Sequence, residues 1–387
     1  MKFKAPVWLG VASVWFGMHA GGGFASGQQE VRYFLIMGWT AVLMPFVAET
    51  IQGIVNYFAW DYSRLTKSYD FRTWVDRFYH PYDKFFANVL DVFFILFLCL
   101  PTGAAIAGAA SLLTVEFGMP YVMATLIACG FLFITTIFGS GLVRAASTFM
   151  IAVLLVSLLA IVVFGIASNH EAALETIKNR TWTPQEGGWG AAFKLALLYA
   201  AFQASIGPLV SVAEPLKSRA DVVKTTVCGI LLNGIPLALI CFMLLGAYPE
   251  VLSKDIPLPV LHVVNTLDMP ILKLSYSIVL FFAFISTGVA FVFASVRRFE
   301  NSRVWNVCSP GSLFGRSVRA RNILVSILTM LYSLGAAQFG LVAIVGKGYS
   351  YMGWVYLVLI VIPIIGFGTI KCRQAEAALK AGSGRGR

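Results

Sequence analysis

Apolar runs of roughly 20 residues, each long enough to cross a ~30 Å hydrocarbon core, follow one another along the chain with short polar stretches between them. Ten can be counted, at about 5–36, 38–60, 85–113, 119–138, 142–167, from Trp189 to about 214, 222–248, 271–296, 323–345 and 351–370. The pattern predicts an all-α membrane protein with ten transmembrane helices. Two of the runs are interrupted. In the first, Gly17, Gly21, Gly22, Gly23 and Gly27 place five glycines within eleven positions. Glycine costs ~1 kcal/mol against alanine inside a helix, so this density predicts a break. In the sixth, Phe202, Gln203, Ala204, Ser205, Ile206, Gly207 and Pro208 end the helical pattern, because Pro208 lacks a backbone donor. The two breaks, at Gly21 and Gly207, lie 186 residues apart and five segments separate each from its counterpart. An odd number reverses the side from which the second half starts. The chain therefore predicts two inverted five-helix repeats, 1–168 and 189–372, with helices 1 and 6 discontinuous, an external loop at 169–188 and a flexible cytoplasmic tail at 373–387.

Smaller features fit between these runs. The loop at 61–84 mixes basic, acidic and aromatic residues, which predicts an amphipathic helix along the inner surface. Val260, Leu261, Val264 and Leu267 have helical spacing and predict a short cap over the outer mouth. The small-residue run at 103–110 suits close helix packing.

Composition agrees with the pattern: 58% of the 387 residues are hydrophobic and only 12% are charged, too few for a soluble globular chain. The net charge of +11 does not point to nucleic acid, because Lys and Arg follow topology instead of collecting on one face. With Lys2 and Lys4 inside, 22 of the 29 basic residues fall on the inner side, and Lys178, Arg180, Lys254, Lys273 and Lys347 are left outside. Both termini are thus expected in the cytoplasm and the protein in a bacterial cytoplasmic (inner) membrane. Six cysteines show neither a CxxC pair nor a histidine at ligand spacing, so no disulfide framework or zinc site is expected.

Irregular backbone at membrane depth is tolerated where it lines a cavity or is buried in protein, and broken helices are where many secondary transporters bind solute. The plainer reading of the first break is a glycine packing seam. Polar residues crowd that segment, which favours a site: His19, Gly21, Gly22, Gly23 and Phe24 at the first break, with Phe202, Gln203 and Ser205 at the second. In the eighth segment, Ser286 and Thr287 offer hydroxyls at a depth similar to that of residues 17–20, as an alkali-cation site would need; alternatively they bond back to the preceding turn. His19 either titrates and carries protons or contacts solute. Glu30, Glu49, Asp91 and Lys194 are deep charges expected to pair between helices, Glu30 with Lys194 in particular. Arg144 and Glu214 form an inner gate or are solvated helix ends. No Walker, HExxH, GxSxG or kinase signature occurs, and an enzyme is not expected.

Residues 21–28 (Gly-Gly-Gly-Phe-Ala-Ser-Gly-Gln), Gly346, Lys347, Gly348 and Tyr349 on through Pro363, and the ten-helix length resemble the YkvI-type bacterial membrane proteins. These in turn resemble LeuT-fold transporters of the amino acid/polyamine/organocation superfamily. Gly17, Gly21 and Gly23 fit that fold's first-break pattern, and Phe202, Gln203, Ser205 and Gly207 fit its sixth segment. Where the YkvI pattern has an acidic residue after the glutamine, this chain has Gln29 and then Glu30. The resemblance implies sodium held by Gly17, Ala20, Ala283, Ser286 and Thr287, the last three at the i, i+3, i+4 spacing of the fold's second sodium site. It also implies sodium-coupled symport of a small polar or zwitterionic solute such as an amino acid, without an organic cofactor. Residues 153–164 lack the basic side chain that some proton-coupled members place where sodium would sit. Proton coupling through His19 is the alternative, and a non-transporting membrane ligand sensor is the alternative of another class.

Overall fold

The computed structural model describes residues 6–138, 140–182, 188–204, 206–300, 305 and 312–384, and these form helices and turns without a strand. The first half comprises α1 (Val7–His19), α2 (Gly22–Ser26), α3 (Gln28–Tyr33), α4 (Met44–Thr66), α5 (Phe71–Phe78), α6 (Asp83–Phe97), α7 (Cys99–Phe117), α8 (Tyr121–Phe138) and α9 (Ser140–Lys178). Next come α10 (Trp189–Phe202), α11 (Ile206–Ser211), α12 (Arg219–Leu245), α13 (Tyr248–Ser253), α14 (Pro259–Thr266) and α15 (Pro270–Phe299). The chain closes with α16 (Leu313–Arg316), α17 (Val318–Ala337), α18 (Gly340–Ala343), α19 (Tyr349–Tyr356) and α20 (Ile362–Gly384), the last three joined by wider π turns at Ile344–Gly348 and Leu357–Val361.

Among the described residues six helical stretches are long and apolar enough to cross a membrane, and seven if Leu35–Val42 and α4, bent by 81°, form one span. Val7–His19, Tyr121–Thr136 and Trp189–Phe202 are apolar but shorter. Two of these three, α1 and α10, end at the predicted breaks, which is why they fall short of a full crossing. The chain is an integral, multi-pass membrane protein.

Helices α1, α4, α10 and α12 pack together, α4 lying between α10, α12 and α20. A second group gathers around α7, which is covered by α8, α15 and α17. Residues 102–112 of α7 are all buried, as the small-residue run predicts. Gly103 faces Ser333 and Ala336 of α17, so a side chain there would meet that helix's backbone. The short α2 joins the two groups by packing on α15 and α7, while α3 lies against α10, α12 and Ile344–Gly348.

The amphipathic helix predicted in the 61–84 loop is α5, but its apolar face is turned into the protein. Trp74, Val75 and Phe78 are buried, and the Trp74 indole donates to the Ala59 carbonyl of α4. Asp70 caps α5 by accepting from the Thr73 backbone N–H at 2.8 Å, which holds its carboxyl below the usual carboxylate range. The predicted cap helix is α14, with Val260, Leu261 and Val264 buried and Val260 against Gly27. Two loop expectations are corrected. Helix α9 continues to Lys178, through half of the expected 169–188 loop. At the C-terminus, helix runs to Gly384 where a flexible tail was expected, since the alanine-rich stretch carries an i,i+4 Glu376–Lys380 pair.

Candidate functional site

The helical ladder of the first segment stops at Ala20 (ψ 45°) and Gly21 (ψ −176°), then restarts as α2. The Gly21 N–H turns to the His19 carbonyl at 2.7 Å, and the Gly22 N–H turns to the Thr287 hydroxyl of α15 at 3.3 Å. A continued helix would have sent these two donors to Gly17 and Met18, so the carbonyls of those residues lose their helical partners. Gly27 is left-handed (φ 81°) and separates α2 from α3, a conformation that glycine adopts without cost. At the second break α10 ends at Phe202, and the Gln203 carbonyl accepts from the Gln52 amide of α4 at 2.9 Å. The two breaks are linked by the Gln203 amide, which donates to Gln29 of α3 and to the Tyr199 hydroxyl, each at 3.5 Å.

The three central glycines meet different neighbours. A Cβ on Gly21 would lie 3.0 Å from the Thr287 hydroxyl, and one on Gly23 would lie 2.6 Å from the Gln29 amide. On Gly22 it would come within 2.2 Å of the Phe284 ring, which also covers Gly108 of α7. Gly22 therefore provides a packing seam, the plainer of the two readings, as well as an N–H that leaves the helical ladder for the Thr287 hydroxyl. Phe24 is buried in the core against Phe16. Phe202 stacks among Tyr33, Tyr199 and Tyr349. Ser205 lies outside the described residues.

Of the five positions expected to hold sodium, Thr287 is brought to the first break, and Ala20 is buried there. The hydroxyls of Ser286 and Thr287 both donate to the Ala283 carbonyl, at 3.0 and 2.8 Å, so the back-bonded arrangement is realised alongside the contact between Thr287 and Gly22. Gly17 sits on an exposed side of α1 with open space next to it.

The deep charges pair otherwise than expected. His19 Nδ1 lies 3.5 Å from a Glu49 carboxylate oxygen, and both side chains are buried. Neither His19 nitrogen and neither Glu49 oxygen has a hydrogen-bond partner among the described residues. The expected pair of Glu30 with Lys194 is not formed: Glu30 is fully buried, whereas Lys194 points outward from α10. Asp91 is paired with Arg298 at the end of α15 and with Arg72 of α5, joining three elements at one end of the protein. Glu214 is exposed, and the side chain of Arg144 lies outside the described residues.

Sequence reasoning did not single out Gln52, Asn56 and Asn233. Their signal is nevertheless present, because Glu49, Gln52 and Asn56 recur at helical spacing along one face of α4 and all three are buried. On α12, Gly229 abuts Trp15, and Asn233 is buried one turn further on, its amide donating to the Gly229 carbonyl. Lys347, Lys254 and Lys178 remain peripheral.

The overall arrangement of helices is shared with solved structures. A substrate-bound, outward-open Na+-coupled sialic acid symporter superposes with a TM-score of 0.61 over 93% of this chain and 79% of its own, at 16% identity. The inward-facing form of Mhp1 gives 0.61 over 95% and 77%, at 15% identity. MhsT in complex with L-phenylalanine gives 0.60 over 95% and 98%, at 14% identity. The fold is that of the LeuT-fold transporters. In sequence, the chain is 23% identical to the uncharacterized membrane protein YkvI of Bacillus subtilis (strain 168) over 252 residues, 64% of this chain and 69% of YkvI. That similarity agrees with the YkvI-type resemblance of the breaks. No family model matches the chain. The solved neighbours are transporters and not enzymes, in line with the lack of an enzyme signature.

Proposed function

We propose that this protein is a secondary active transporter that couples sodium to symport of a small polar or zwitterionic solute, such as an amino acid. The observation that carries the reading is the junction of the first break with α15. There the Gly22 N–H meets the Thr287 hydroxyl, beside carbonyls of α1 that have lost their helical donors. Backbone carbonyls and a hydroxyl are hard, uncharged oxygens of the kind that replace an alkali cation's water. Thr287 and Ala20, with Ala283, Ser286 and Gly17 nearby in sequence, are the residues that would hold sodium. The neighbouring structures support the coupling ion by analogy, since one of them is a Na+-coupled symporter. Solute is assigned to the region of the two breaks, to His19, the glycines 21–23, Phe24, Phe202 and Gln203, with Ser205 assigned from its place in the sequence alone.

The same reading takes the chain as ten spans in two inverted repeats, 1–168 and 189–372, with both termini in the cytoplasm of a bacterial inner membrane. The distribution of basic residues supports that orientation. Opening to either side would move α1–α3 and α10–α11 relative to the group around α7.

Proton coupling is a second reading, and the buried His19–Glu49 pair favours it. The test uses vesicles reconstituted with wild-type protein and with His19→Gln, scanned with amino acids, amines and organic acids under separate sodium and proton gradients. Sodium-driven accumulation that survives His19→Gln supports the first reading. Uptake driven by a proton gradient alone, and lost in His19→Gln, replaces it with the second. Solute binding without flux in either gradient would make the protein a membrane sensor.

A further inference from the structure

Among the described residues, Glu30 and Glu49 are fully buried carboxylates whose oxygens find no hydrogen-bond partner in another residue. Glu49 has His19 beside it. Glu30 has no base. Arg32, two residues further on, is turned to Asp255, and Lys194 is exposed. Helix α10 presents Tyr199, α12 presents Cys241 and α15 presents Tyr276, all within electrostatic reach of Glu30. Glu49 of α4 reaches the same Tyr199. Leu35–Val42 and α2 carry no titratable side chain, Lys347 of the neighbouring π turn is exposed, and His262 of α14 faces Glu250. Tyr276 spends its O–H on the Ala25 carbonyl, while the Tyr199 oxygen accepts from Gln203 and its O–H makes no bond to Glu30.

A carboxylate charge in such surroundings is uncompensated, and an unpaired buried charge is among the costliest features a protein can hold. A proton removes that charge and needs no room. A metal ion needs several further oxygens, and no group of three acidic, histidine or cysteine ligands is present among the described residues. We infer that Glu30 is a proton-binding site, its carboxyl holding a proton while α3 is seated against α10, α12 and Ile344–Gly348 and releasing it to water when α3 lifts away. In that step the O–H bond breaks, the electron pair stays on the carboxylate and water takes the proton. The release step rests on the transporter reading above; the protonated seat does not.

Cys241 is a built-in reporter, being fully buried and within electrostatic reach of Glu30. The full-length protein carrying Cys99→Ala, Cys129→Ala, Cys228→Ala, Cys308→Ala and Cys372→Ala is treated with iodoacetamide over a pH series, without sodium or solute. Alkylation proceeds through the thiolate, which gains about tenfold per pH unit below the thiol's own pKa. If opening also releases the Glu30 proton, the open fraction gains a further tenfold per unit, so the rate should climb about 100-fold per unit. Glu30→Gln should climb only about tenfold. Equal slopes in the two proteins would overturn the inference, as would no labelling of Cys241 at any pH. Should Glu30→Gln fail to fold, Glu30→Asp keeps a titratable group and must retain the steeper slope; the shallower one would overturn the inference. Because no sodium is added, failure here leaves the sodium reading standing, and a failed sodium test leaves this one standing.

Discussion

Replacing Thr287 with valine removes one hydroxyl that makes two bonds, accepting from the Gly22 N–H at 3.3 Å and donating to the Ala283 carbonyl at 2.8 Å. The bond to Ala283 is a local return to the preceding turn, and its loss is worth ~0.5–1.5 kcal/mol or less. Losing the acceptor for Gly22 is more serious. Gly22 is buried, and its N–H has no helical carbonyl to return to without closing the break. A buried donor left unpaired costs ~1–3 kcal/mol, so Thr287→Val should be destabilised by about that amount in potassium chloride. Ser286→Ala, which loses only a bond to Ala283, should stay within ~1 kcal/mol of wild type. Sodium adds a separable term. A bound ion stabilises the folded state by ~2.7 kcal/mol at a hundredfold excess over its dissociation constant, and none of this should remain if Thr287 is a ligand. The assay is thermal unfolding of purified protein in sodium chloride and in potassium chloride at equal ionic strength. Wild type should gain stability on changing to sodium, Ser286→Ala should gain less because one ligand hydroxyl is lost, and Thr287→Val should start lower and gain nothing. A full sodium increment in Thr287→Val would refute the ion site, and unchanged stability in potassium would refute the structural role of the Gly22 bond.

Gly22→Leu should destabilise the protein by ~1–3 kcal/mol or more through collision with Phe284, and Phe284→Leu in the same chain should recover part of the loss; stability of the double variant measured against the two singles checks this. Phe284→Ala, which empties the space between Gly22 and Gly108, should cost ~3–5 kcal/mol in the same unfolding assay. Asp91→Asn breaks the pairs with Arg298 and Arg72, and since these are partly exposed the loss should be ~0–1 kcal/mol and should shrink as salt is raised. Asp70→Ala removes the cap of α5 and should cost ~0.5–2 kcal/mol at neutral pH. The folded carboxyl of Asp70 sits below its ordinary value, so its contribution is present above about pH 4 and is lost as pH falls through the lower folded value; the difference between wild type and Asp70→Ala should therefore narrow in acid.

The hydrophobic runs and the two breaks are local properties, and the sequence by itself determined them. Length sets what can cross a bilayer, and a helix cannot continue through Ala20 and Gly21 or past Gln203 without the ladder bonds that these stretches give up. The short cap α14 and the amphipathic α5 were legible for the same reason, because spacing within one helix states which face is apolar. Spacing does not state what that face meets. Thr287 bonds to Gly22 across 265 positions of sequence, and Gln203 reaches Gln29 across 174. Matched depth along two helices made the first plausible, yet only the packing of α2 on α15 placed the hydroxyl at that N–H. Partner choice among the charges was decided wholly by tertiary structure. Glu30 and Lys194 have similar depth in the sequence, but helix rotation turns one into the core and the other outward. Glu49, which sequence alone leaves without a partner, meets His19 because α1 and α4 both pack against α12. Depth is a function of residue number along one helix, whereas facing depends on the rotation of several helices about one another, and that rotation is settled by where small residues let them approach, as Gly22 and Gly108 do around Phe284.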